Sequence, residues 1–392
     1  MTIQGTGSAT AEAAGRGMAA ARRPRWLGLW DGTDAWFDPG GLGLGADPGA
    51  GAGLPDLPGD ALLTCGSLLI ELRLPAGGAA VTPLIHCRRS AGGWPFLLSL
   101  QAVPGGGLTL VLDGGAGLRH WPLILPGAGQ SDRLRLTLSW DAPRRHGRIT
   151  LEQPETGQAQ LIALADPVPL RLADLAALIA DPAARYIAPE IDYCALSAAM
   201  EPVGPMPGLA PDTPVATPRG FRPAGQLRRG DLVLNAEGQA VPVLHRVTRC
   251  VPARGLFRPL RLRAPYFGLR RDVVLAASQR LVLSGSDVEY LFGQEAVLAA
   301  LRHLAGKASV RALSCGPLTR YTQLVLPDHQ AVSIAGAVAE SLYLGRLRRR
   351  RALLAASLLA GLDRASLPEH GAPVHPVLAA FDAVTLADQR AA

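Results

Sequence analysis

Lysine is almost missing from this 392-residue chain: Lys307 is the only one, and every other basic side chain is an arginine. A formal net charge of +7 built in this way reads as a GC-rich coding bias. Arginines scattered evenly over the surface are therefore expected, and no specific nucleic-acid partner. The five cysteines, Cys65, Cys87, Cys194, Cys250 and Cys315, stand far apart with no CxxC pair. That spacing indicates neither a zinc site nor a disulfide framework; reduced and mostly buried thiols are expected, with no metal and no cofactor. No apolar run reaches the roughly 18–20 residues that a membrane-spanning helix needs, and the nearest, 352–362, is too short. The N-terminus carries Arg16, Arg22 and Arg23 but no apolar h-region. This excludes an ordinary secretory signal and leaves the cytoplasm or export by a signal-independent route.

What is present favours a folded, strand-rich chain. Hydrophobic residues make up 48% and charged residues 18%, with 45 glycines and 33 prolines as turn-formers, and the length suits two or three domains. Residues 1–25, small and polar without hydrophobic period, read as a flexible tail. From Trp26 to about Asp60 the sequence predicts loops around aromatic anchors. Between Ala61 and Glu152 short apolar runs alternate with turn signals, most clearly in the segment 133–140, where Leu134, Leu136, Leu138 and Trp140 share one face. Six or more such strands predict a β-sandwich over 26–188, with a short helix near 170–180. The strand ending in Ser139-Trp140-Asp141 and the hairpin after it resemble the concanavalin A-like (lectin/laminin-G) sandwich. If so, Trp94, Trp121 and Trp140 either line a carbohydrate-binding or surface-binding face or fill the core. Asp31-Gly-Thr-Asp34 reads as a turn with the look of a calcium loop. A Pro-rich linker is expected over 189–207.

The most specific stretch is Pro211-Asp-Thr-Pro-Val-Ala-Thr-Pro-Arg-Gly220 followed by Leu227-Arg-Arg-Gly-Asp-Leu-Val233. It resembles the opening block of Hint domains, the Hedgehog/intein autoprocessing fold, in particular those of bacterial Hint-domain proteins. The resemblance runs on through 258–263, 272–283, Leu291-Phe-Gly293, Leu326-Pro-Asp-His-Gln330 and Ala339-Glu-Ser341. It implies a compact all-β domain over 208–345, expected to bury Val215, Leu232, Val233, Leu262, Val274, Leu281, Val282 and Val332. Overall the fold class expected is mainly β: a lectin-like sandwich, a Hint-type domain and a C-terminal helix and tail over 346–392. The helix is expected at 346–361 on a stripe of Leu347, Leu354, Leu358 and Leu362. Its opening arginines, Arg346 and Arg348 to Arg351, suit either an anionic surface or a solvated face.

In the family that this segment resembles, a Cys or Ser at the first domain position attacks the carbonyl just upstream, and a histidine assists the leaving nitrogen. Carried over by Pro211-Asp-Thr213, the nucleophile position falls on Gly208, and the carbonyl upstream belongs to Pro207. The histidine that usually precedes Arg280 is Gln279, and a further histidine two residues after Tyr321 is Gln323. His329 is retained, as a residual catalytic group or as a structural side chain. The resemblance therefore implies a Hint domain whose catalytic positions are degenerate, in a non-catalytic binding or scaffold protein. The alternative is a chain that still cleaves itself by acyl shift near 194–208, with Cys194 standing in as nucleophile.

Overall fold

The computed structural model describes residues 26–45, 57–58, 60–75, 80–125, 133–306 and 308–391; the expected flexible tail, 1–25, lies outside them. The protein is mainly β, as its turn-rich composition suggests. The first block is two large antiparallel sheets around one core, with a small two-stranded one, Leu62–Leu63 with Leu170–Arg171, beside them. One has seven strands in the order Gln158–Ala165, His146–Gln153, Arg133–Asp141, Cys65–Arg73, Ile191–Ser197, Trp26–Trp30 and Ala35–Phe37. The other has five: Arg185–Ile187, Thr82–Ala91, Trp94–Ala102, Leu108–Asp113 and Arg119–Leu123. Leu134, Leu136 and Leu138 meet Phe96, Leu98 and Leu100 between the sheets. The helix Leu172–Ala180 adds Leu175, Leu178 and Ile179 to the same core.

The outer face of the seven-stranded sheet is covered by the second block. Tryptophan and tyrosine anchor that contact: Trp26, Leu69 and Tyr193 pack with Val251, Phe257 and Tyr321, and the Trp26 indole N–H donates to the Cys250 carbonyl. Between them lies a buried charged layer. Arg135, Thr137 and Ser139, the polar half of the alternation, are at most 2% exposed. The Glu71 carboxylate accepts from Arg135 at 3.2 Å and from the Leu256 backbone N–H at 2.6 Å. Arg249 reaches Glu201 at 2.8 Å. Burial pushes the Glu71 carboxyl upward, while the guanidinium groups of Arg135 and Arg133 pull against that rise.

The second block has a six-stranded sheet in the order Gly220–Pro223, Pro214–Thr217, Ala331–Ile334, Ala337–Glu340, Arg280–Ser284 and Ala296–Ala300. Smaller sheets complete it: His245–Pro252 with Leu318–Val325, Leu232–Leu234 with Ala240–Pro242, and Pro259–Leu262 between Val273–Ala276 and Val310–Ala312. Val215, Val233, Leu262, Leu281 and Val332 are in its core, at 1% exposure or less.

Four expectations are corrected. Trp26–Trp30 and Ala35–Phe37 are strands, where loops were expected; Trp26, Leu27 and Leu29 are all buried, so no polar alternation marks the first of them. The segment 189–207 is no free linker. Ile191–Ser197 is an interior strand between Cys65–Arg73 and Trp26–Trp30, and the Val203 N–H donates to the Ala356 carbonyl. The helix expected at 346–361 is only a 3-10 turn, Leu347–Arg349, and a short helix, Arg351–Ala355. Arginines at a helix start oppose its dipole, and here they are tied elsewhere: Arg349 to Glu369 at 2.6 Å, and Arg350 to the Ala159 carbonyl at 2.9 Å. The C-terminal helix is Ala380–Ala391. Lastly, Val274 and Val282 are half-buried and Leu232 is 44% exposed, because Val233 is the residue that faces the core. A one-residue register error swaps the two faces of a strand. Leu232→Asp is accordingly expected to change stability by less than about 1 kcal/mol, and urea unfolding of the whole chain checks it.

Candidate functional site

The segment Pro207–Leu209 enters the second block between two strands. The Gly208 carbonyl accepts from the Ala276 N–H at 2.8 Å, and Leu209 exchanges backbone hydrogen bonds with Thr322. The turn between Val273–Ala276 and Arg280–Ser284 places Gln279 against Gly208. Any Cβ at residue 208 would overlap the Gln279 amide oxygen and lie 3.1 Å from its Cβ. Gln323, on the strand Leu318–Val325, donates through Nε2 to Gln279 Oε1 at 2.8 Å. Both amide nitrogens also reach the Glu340 carbonyl, at 3.2 and 3.1 Å. Three positions far apart in the chain thus meet. Gln279 and Gln323 are 4% and 2% exposed, and their amides offer hydrogen bonds without a proton shuttle near neutral pH.

His329 belongs to the neighbourhood through Glu340. Its Nδ1 accepts from the Val374 N–H at 3.0 Å, and its Nε2 lies 3.5 Å from Glu340 Oε2. The Glu340 carboxylate also lies 3.4 Å from Arg280. The His329 ring packs edge-on to Tyr343 and near His370, whose Nδ1 accepts from the Leu344 N–H. This pattern holds the C-terminal segment against the domain.

In front of Gly208 is a cavity of about 520 Å3, lined by Gly208, Gln279, Gln323 and Glu340 of the second block and by Glu152 and Glu155 of the first. The hairpin of His146–Gln153 and Gln158–Ala165 therefore forms one of its walls. Glu340 and this wall are the functional neighbours that sequence reading misses. Glu340 stands inside the Ala339-Glu-Ser341 motif, yet its two uses, carbonyl to the glutamines and carboxylate to Arg280 and His329, depend on folding.

The match to known families now has a place to fall. Residues 207–346 match the family model described as "Hint domain". Residues 207–346 form a Hint domain. Among solved structures, the chain resembles the bacterial intein-like domain from Clostridium thermocellum, with 13% identity, 35% of this chain, 99% of that one and a TM-score of 0.25. It resembles the MchDnaB-1 intein with 16% identity, 33% of this chain, 98% of that one and a TM-score of 0.22. No curated protein matches the chain. The nucleophile, histidine-before-arginine and second-histidine positions carried over from the Hint resemblance are Gly208, Gln279 and Gln323, the three residues that meet at the cavity.

The remaining candidates lie elsewhere. Cys194 is fully buried in the core between the two sheets of the first block, and burial pushes its thiol up to about 12; a thiol there is neither exposed nor ionised. Trp140 is 2% exposed and donates to the Leu63 carbonyl. It shares a cavity of about 40 Å3 with the half-buried Trp121. Trp94, 37% exposed, donates to the Gly114 carbonyl and is not part of that cavity. In the turn from Asp31 to Asp34, Asp31 Oδ1 accepts from the Thr33 and Asp34 N–H groups and Oδ2 pairs with Arg254 at 2.5 Å. Among the described residues no group of three or more His, Cys, Asp or Glu is arranged to hold a metal ion, and no helix is long and apolar enough to cross a membrane.

Proposed function

We propose that this Hint-domain-containing protein is a non-catalytic scaffold that has lost autoprocessing, with the N-terminal sandwich as its binding module. The observation that carries the reading is the packing of Gln279 over Gly208, with Gln323 bonded to it: the space a nucleophilic side chain would occupy is filled by an amide. The replacement is coupled, since a cysteine at 208 would collide with the glutamine at 279. Nucleophile and acid act as a unit, and neither is present at these positions.

The lectin-like reading of the sandwich rests on Trp94 as the accessible aromatic, with Trp121 and Trp140 serving the interior. A carbohydrate or surface ligand would then meet the five-stranded sheet, on the side away from the Hint domain. The test of the scaffold reading is intact mass after prolonged incubation with a thiol. A single species of 40.9 kDa is expected; thiol-dependent appearance of two fragments joined at residues 207 and 208 overturns the reading and restores the self-cleaving alternative.

A further inference from the structure

Four arginines converge at one place on this molecule. Where the sandwich meets the Hint domain a cleft of about 690 Å3 opens, and among the described residues the charged side chains that line it are all arginines: Arg133, Arg258, Arg302 and Arg311. The other described lining residues are glycine, alanine, leucine and valine. Arg133 begins the sandwich strand Arg133–Asp141, while the rest belong to the Hint domain, so both parts of the chain contribute. Arg133 already pairs with Asp192 at 2.5 Å and Glu71 at 3.5 Å, and Arg302 with Glu155 at 2.8 Å. None of those carboxylates lines the cleft. Arg258 and Arg311 are exposed and, among the described residues, have no carboxylate partner.

The strand register adds an independent observation. In the pairing of Pro259–Leu262 with Val310–Ala312, Arg261 stands directly opposite Arg311, and like charges across an antiparallel pair repel. Close by, burial and then the charges of Arg302 and Arg133 push His303 down to about 4, as expected of a base held among cations.

We infer that this cleft binds a multiply charged oxyanion, a phosphate ester or an inorganic polyphosphate. Two unpaired guanidinium groups call for at least two negative charges, and their forked donors match phosphate oxygens in pairs. The cleft has the volume of a small-molecule site. The ligand would tie the sandwich to the Hint domain, and the inference is independent of whether the chain cleaves itself.

The probe is pyrophosphate, titrated into the full chain at low ionic strength by calorimetry and in thermal melts. Saturable binding that raises the melting temperature and weakens with added salt is expected. Arg258→Ala/Arg311→Ala should weaken it by about tenfold or more, while Arg88→Ala/Arg145→Ala, which removes the same charge from the sandwich, should stay within about twofold. The paired lysine variant Arg258→Lys/Arg311→Lys keeps charge and fold and loses the forked geometry, so it should weaken binding by an intermediate factor. Glycerol phosphate run beside pyrophosphate separates an esterified from an inorganic ligand, and binding of either supports the site. Absence of saturable binding by both, or an equal loss in the two alanine doubles, overturns it.

Discussion

Glu71→Ala is expected to destabilise the whole chain by about 3–5 kcal/mol, the usual result of removing one partner from a buried ion pair. Glu71 is 0% exposed and sits on the sandwich face that meets the Hint domain. Its carboxylate receives Arg135 and the Leu256 N–H, with Arg133 at 3.5 Å and the Tyr193 hydroxyl at 3.5 Å. Arg133 keeps Asp192 when Glu71 goes, but Arg135 is 2% exposed and its Nε already has no partner. A buried guanidinium left with only the more distant charge of Glu152, and an unpaired backbone N–H, are the costs. The guanidinium of Arg135 also lies 4.2 Å above the Phe257 ring, which does not replace a counter-ion. The compensated variant Glu71→Leu/Arg135→Met should recover most of the loss, since an apolar pair of similar volume carries no desolvation penalty. Urea unfolding measures both; a loss under about 1 kcal/mol for the single variant would show that the layer is open to water.

Gly255→Ala should cost about 2–4 kcal/mol, from two sources that a control separates. Gly255 has φ +55, and an added Cβ would lie 2.7 Å from Glu71 Cδ and 2.8 Å from Tyr193 Cε1. It precedes Leu256, whose backbone N–H binds the sandwich carboxylate at 2.6 Å. Gly230 has φ +88 but open space around it, so Gly230→Ala carries the backbone strain alone, about 1 kcal/mol. If thermal melts show the two alanines to be equally costly, the close approach of the two blocks at Gly255 is wrong. In the Glu71→Ala background the Gly255→Ala cost should shrink in part, because the Glu71 carboxylate it overlaps is gone while Tyr193 remains.

Both effects arise on a surface that sequence patterning reads as solvent. In the segment 133–140 the leucines mark the sandwich core correctly, and the intervening Arg135, Thr137 and Ser139 have the composition of a wet face. They are buried because a second domain covers them. The same docking hides Ile191–Ser197, whose two faces are both packed and whose neighbouring prolines and glycines look like a linker. Leu232 and Val233 show a smaller ambiguity: in a three-residue strand two adjacent apolar residues compete for one inward position, and local pattern does not choose.

The candidate site divides in the same way. The ordered motif series from Pro211 to Ser341 was legible, and the Hint domain over 207–346 agrees with it; the same resemblance proposes Gly208, Gln279 and Gln323 as the counterparts of the family's reactive positions. Side-chain identity alone excludes a nucleophile at residue 208 and an imidazole at 279 or 323. Their contact was not legible, since Gln279 reaches Gly208 only when the turn before Arg280–Ser284 folds over it, and Gln323 reaches Gln279 only when residues 44 apart in sequence come together. Nor was the role of Arg133 beside Arg258, Arg302 and Arg311, which a scatter of arginines along the chain conceals.

By itself, then, the sequence determined that the chain folds, that it does so mainly as short strands joined by glycine and proline turns, and that its C-terminal part carries a Hint domain, because these depend on local periodicity and residue chemistry. Tertiary structure decided that the sandwich and the Hint domain share a buried charged layer, that a hairpin of the first walls the cavity in front of Gly208 in the second, and that arginines from both converge on one cleft. Those are properties of two surfaces brought together, and burial and charge compensation across such a contact leave no period in either strand's own residues.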